Sequence, residues 1–132
     1  MNKGMLIAVA AASVALALGG CARTAPIYNV GEAAVPSVSG KALTDAQVRS
    51  AIMLAGASLG WKFADTAPGH LEGTLNLRTH KAVVEIPYSA TSYAITYKSS
   101  SNLNEAGGTI HSNYNGWVQN LDRAIQQELL RT

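Results

Sequence analysis

One thiol, three imidazoles and a thin scatter of carboxylates are all that this chain offers to covalent or metal chemistry. Cys21 stands directly after Gly19-Gly20, at the end of an apolar run from Met5 to Leu18 that follows Lys3. Free cysteine is usually a small buried side chain, but a place directly after an apolar run and two glycines argues against that reading of Cys21. Being the only cysteine, it also excludes an intramolecular disulfide. His70, His80 and His111 are the only nitrogen ligands for a transition metal. His70 and Glu72 alternate, so on a strand they would share one side. No second pair stands at a converging spacing, and the histidines are expected to be solvated or to cap elements, with no metal or cofactor bound. Ser99-Ser100-Ser101 lacks the Gly-x-Ser-x-Gly setting of a hydrolase nucleophile. Gly107-Gly108 lacks the lysine and hydroxyl of a phosphate loop. Asp65, Glu72 and Glu85 would need a cleft that a domain of this size has little material to build. The expectation is that the chain is not an enzyme. Arg78, His80 and Lys81, close together in a turn, form a compact basic tip able to meet anionic lipid or cell-wall peptidoglycan, and they are the candidate contacts for a ligand or partner.

The start of the chain has the layout of a secretory signal, with a short basic lead, an apolar run and then small residues. That run falls short of the roughly 17–25 residues a membrane-spanning helix needs. Leu18-Gly19-Gly20-Cys21 resembles the lipobox of bacterial lipoproteins. The resemblance implies a signal peptide over residues 1–20, diacylation of the Cys21 sulfur, and acylation of its new amino group after cleavage. By the same resemblance, Ala22 in place of an aspartate after the cysteine implies escape from inner-membrane retention. The expected location is the outer membrane, held by lipid and facing the periplasm.

Without the signal, about 110 residues remain, enough for one domain and too few for two. Nine Lys and Arg face eight Asp and Glu in this part, so no dense basic face for nucleic acid is present. Residues 21–41 read as the lipidated cysteine and a flexible tether, because Pro26, Gly31, Pro36 and Gly40 break every period. Such a coil would hold the domain roughly 25 Å from the lipid. Ile27-Tyr28-Asn29-Val30 forms an apolar island within it, a docking strand or a sticky patch.

Residues 42–132 must then build whatever positions the basic tip. Thr44 and Gln47 make a capping box, with Leu43 and Val48 as a staple, and open a helix from Asp45 to about Leu59. Val48, Ile52, Ala55 and Leu59 mark its buried stripe, and Gly60 ends it. Strands of period two follow: Trp61–Ala64, then Leu71, Gly73, Leu75 and Leu77, then Val84, Ile86 and Tyr88, then Tyr93, Ile95 and Tyr97. Short connections at Thr79-His80-Lys81 and Ser89-Ala90-Thr91 predict an antiparallel meander. Pro87 belongs at a strand end or a bulge. A polar loop over 99–109 leads to a helix from about His111 to Leu130, with Tyr114, Trp117, Leu121, Ile125 and Leu129 on its stripe. The expected fold is α+β, a two-layer sandwich of three or four strands with both helices on one face. The other face would carry Glu72, Thr74, Asn76, Glu85, Thr96 and Lys98 toward water or a polar partner.

Ile110-His111-Ser112-Asn113-Tyr114-Asn115-Gly116-Trp117-Val118, together with Gly60-Trp61, is similar to small uncharacterised lipoproteins of Gram-negative bacteria. That similarity implies no activity and no ligand. The functional expectation is a lipid-anchored envelope module that binds other proteins or supports an assembly, through a sheet edge left open for strand addition. The alternative is a binder of cell-wall glycan or a small ligand.

Overall fold

The computed structural model describes residues 23–132. The signal segment, Cys21 and Ala22 lie outside the described residues. In chain order the elements are β1 (Thr24–Pro26), β2 (Val30–Ala34), α1 (Asp45–Ser58), β3 (Trp61–Ala67), β4 (His70–Leu77), β5 (His80–Pro87), β6 (Ser92–Ser101), β7 (Thr109–His111) and α2 (Ser112–Leu130). The fold is α+β, with a five-stranded antiparallel sheet ordered β2-β6-β5-β4-β3 and a two-stranded ribbon of β1 and β7.

Local chemistry sets α1. The Thr44 hydroxyl accepts from the Gln47 amide at 3.1 Å, and the Gln47 side chain accepts from the Thr44 amide at 2.9 Å. This satisfies two of the amides that a helix start leaves without partners. Leu43 and Val48 are both buried around the cap. The helix ends at Leu59, and Gly60 takes φ +92°, a conformation that favours glycine. Leu59 departs from the predicted stripe. At 41% exposure it faces out, because the chain has already left helical geometry at this capping residue. Gly56 instead joins the buried face, where a Cβ would overlap the Phe63 ring, while Gly73 leaves room on the ring's other side.

The meander pairs in register, Leu77 opposite His80 and His70 opposite Pro87. Pro87 is the last residue of its strand, where its missing N–H does least harm. Leu71, Leu75, Ala82, Val84, Ile86, Tyr93 and Ile95 join the buried residues of both helices in one core. On the opposite face Lys98 reaches Glu72 at 2.7 Å and Glu85 at 3.4 Å. Lys98 is the extra residue of a bulge: Val83 and Val84 are adjacent, but their partners are Ser99 and Tyr97.

The stretch expected as a flexible tether is folded from Thr24 to Ala34. Thr24 and Pro26 pair with His111 and Thr109, and Val30 and Ala34 pair with Ile95 and Ser92. Val30 is buried, and Ile27, Ala33 and Val35 pack against the core. Prolines stop helices but do not bar an edge strand, and Pro26 ends one here. The sheet therefore has a fifth strand, and β6 runs on through Ser101 where a loop was expected.

In α2 the buried stripe is Tyr114, Val118, Leu121, Ile125 and Leu129. Trp117, expected on that stripe, lies at the core's margin, and Val118 takes its place. Two buried tyrosines then differ in their hydrogen bonding. The Tyr93 hydroxyl donates to Asp122 Oδ1 at 2.5 Å and accepts from Gln126 Nε2 at 2.7 Å. Burial and the Asp122 carboxylate together hold that hydroxyl well above its ordinary pKa. Tyr114 packs edge-on to Tyr97 at 5.5 Å, yet its buried hydroxyl has no partner among the described residues. Tyr93→Phe is expected to cost about 1.5–3 kcal/mol, the range for a bond to a charged group. Tyr114→Phe should be neutral or stabilise by up to about 1 kcal/mol, since it removes a desolvation penalty without breaking a bond. Urea unfolding of the two variants checks the order, which a costlier Tyr114→Phe would reverse.

Candidate functional site

The chain turns between β4 and β5 through two residues, Arg78 and Thr79, with Arg78 at φ +56°. A left-handed conformation at a residue with a Cβ costs about 1 kcal/mol or more, so the surrounding contacts must hold the turn. His80 supplies one of them: its Nδ1 donates to the Asn102 carbonyl at 2.6 Å. The Asn102 amide group donates to the Thr79 hydroxyl at 2.8 Å. The His80 ring lies 6.4 Å from the Trp117 ring. His80 thus fastens the hairpin to the segment after β6 through its Nδ1.

The three basic residues do not converge on one point. Arg78 stands at the apex. His80 falls in step with Ala82 and Val84 on the inner side, while Lys81 falls in step with Val83 and Glu85 on the outer side. Neither Arg78 nor Lys81 takes part in an ion pair among the described residues. Beside them Leu59, Trp61, Leu75, Trp117 and Asn120 line a cleft of about 70 Å³. Leu77 is 45% exposed at the end of β4. This end of the domain is therefore basic and apolar together.

The far end of the sheet carries a wider hollow of about 360 Å³, lined by Glu32, Pro68, Gly69, His70, Pro87, Tyr88, Ser89, Ser92, Tyr93 and Ala94. Glu32 comes from the segment read as tether, so composition gave no sign of it. The Ser89 hydroxyl is taken up within its own turn by the amides of Thr91 and Ser92. His70 and Glu72 do not form a ligand pair, since Glu72 is held by Lys98. Among the described residues no group of three or more His, Cys, Asp or Glu is placed to hold a metal ion.

The third feature is β3. Among the described residues it borders only β4, so one side of this seven-residue strand carries no partner strand there. Its opposite counterpart, β2, is shorter and is bent by a bulge between Val30 and Ala33, devices that blunt an edge against pairing. A bulge also interrupts β3, but only near its end, between Asp65 and Ala67. Arg49 of α1 grips Asp65 with two bonds of 2.9 and 2.6 Å. That pair lowers the Asp65 pKa through hydrogen bonding and ties the edge to the helix. Trp61 to Ala64 remain a regular, open edge.

The chain matches no known family model, no curated protein and no solved structure.

Proposed function

We propose that this chain is a lipid-anchored protein of the bacterial outer membrane, facing the periplasm, that docks an extended segment of another envelope protein along β3. The observation that supports this reading is the open edge at Trp61–Ala64. An added strand there would gain main-chain hydrogen bonds on a sheet that is already rigid, with side-chain contacts choosing the partner. The lipobox-like tail before Cys21 supports the anchor, and the domain needs no chemistry of its own to serve as a docking platform. The hollow at the far end supports a second reading, in which a small polar ligand or glycan fragment binds beside His70 and Glu32.

A photo-crosslinking residue at Ala64, on the open edge, should capture a defined protein in intact cells. The same residue at Gln119, exposed on α2, should not. Capture of only lipid and bulk wall, or the same products from both positions, would sink the docking reading.

A further inference from the structure

On the reading that Cys21 carries acyl chains, we propose that the end of the domain bearing β1, β7 and the β4–β5 hairpin rests directly on the membrane, with Arg78 and Lys81 against anionic lipid headgroups. The proposal starts from chain length. Only Ala22 and Arg23 separate Cys21 from Thr24, the first residue of β1. At about 3.5 Å per residue, no arrangement of the chain puts Cys21 more than roughly 11 Å from that strand.

Bonded contacts then lead from the anchor to the hairpin. The Arg23 carbonyl accepts from the Ser112 amide at 2.7 Å, and Thr24 pairs with His111. The His111 amide donates to the Leu103 carbonyl at 2.8 Å. Asn102, the next residue back, holds both His80 and Thr79. Each of these steps spans about 4–7 Å between Cα atoms, so the hairpin lies within roughly 20 Å of Thr24.

Distance decides whether its charges matter. Surface charge is screened over about 8 Å at physiological salt. A coil of some 20 residues would hold the domain beyond that range on average, whereas a domain tied at Thr24 and seated with this end toward the membrane brings Arg78 and Lys81 within it. Arg23, Arg78 and Lys81 take part in no ion pair among the described residues, while Lys98 already occupies Glu72 and Glu85. Glu105 is the carboxylate on the same end, in the segment between β6 and β7. Leu59 and Leu77, each more than 40% exposed, and the half-buried Trp117 flank the cations. A tryptophan beside aliphatic and basic side chains suits the boundary between headgroup and acyl chain. The far end, where His70 pairs with Pro87, is seven strand steps or about 23 Å away, so the hollow there opens away from the lipid.

The test uses the intact lipidated chain, whose acylated Cys21 leaves an introduced cysteine as the sole thiol. Ala106→Cys, in the segment before β7, and Ala67→Cys, at the far end of β3, are both exposed and small. Each would carry a fluorophore in phosphatidylethanolamine–phosphatidylglycerol vesicles containing a headgroup-linked quencher. Strong quenching at position 106 and little at 67 is expected. R78Q/K81Q, or phosphatidylcholine in place of phosphatidylglycerol, should lower the population seated on the membrane by roughly tenfold to thirtyfold. Equal weak quenching at both positions in a chain proved acylated by mass overturns the seating and leaves the anchor standing. Seating unchanged by R78Q/K81Q overturns the headgroup contact. An unmodified Cys21 thiol in the purified chain overturns the anchor, and the seating with it.

Discussion

A chain carrying Cys21→Ser is expected to take up no acyl chains, to keep its amino-terminal signal segment, and to leave the membrane fraction that holds the wild-type protein. The size of the effect follows from what else is available to hold the protein. Buried acyl chains contribute about 0.8 kcal/mol per CH₂, and stable attachment takes more than one such chain. No helix among the described residues is long and apolar enough to cross a membrane. Arg78 and Lys81 would add only about 1 kcal/mol each at an anionic surface. That is far below what several acyl chains supply, and insufficient to hold a protein at cellular dilution. Fractionation together with a fatty-acid analogue checks the prediction. A serine variant that still takes up the label, or a wild-type chain that takes up none, would end the lipoprotein reading.

Removal of residues 22–35 gives the second large effect, and its sign separates a tether from a strand. A flexible linker can be cut with almost no loss of stability. Here the cut strips Val30 from the core, takes Ile27, Ala33 and Val35 from its margin, and exposes the edge of β6. Fully burying a single valine or isoleucine is worth about 1.5–3 kcal/mol, so with the lost ladder the total should reach at least about 3 kcal/mol. For a domain of this size that lowers Tm by roughly 12–24 °C. A melt of the 36–132 fragment that matches the 22–132 chain would show that these strands contribute nothing.

The contrast between these two regions explains what the residues alone could reveal. The Thr44–Gln47 box, the spacing of Val48, Ile52 and Ala55, and the alternation through β4 and β5 are local signals. Each is complete within a dozen residues, and each corresponds to the element found. The partners of β1 and β2 lie far along the chain, at 109–111 and 92–95, so no window around Pro26 or Gly31 contains the reason for their order. Ser99–Ser101 carry no apolar alternation, yet pairing with Lys81–Val83 keeps them in the sheet. Trp117 and Val118 both fit the spacing of Tyr114 and Leu121, so periodicity alone does not decide which of them is buried. The basic tip was legible as a cluster of charge. The hydrogen bond that turns His80 toward Asn102 was not, since it depends on a residue more than 20 positions away.

The closing of the N-terminal strands also has a consequence for the order of folding. Pro26 and Asn115 bond across 89 residues of sequence, and Asn29 reaches Tyr97 across 68. Contacts of such separation carry a large loop-closure entropy and tend to form after the local ones. On the proposed export from the amino end, the first folded segment to cross would be the last to find its partners. The meander and α2 must already be in place before β1 and β2 can dock. Ile27→Ala should then speed unfolding and leave the refolding rate nearly unchanged in stopped-flow measurements. A slowed refolding limb would mean instead that the ends of the chain meet early. Late docking would leave β1 and β2 extended and accessible while the rest of the domain folds, which is the state that the proposed processing at Cys21 would require.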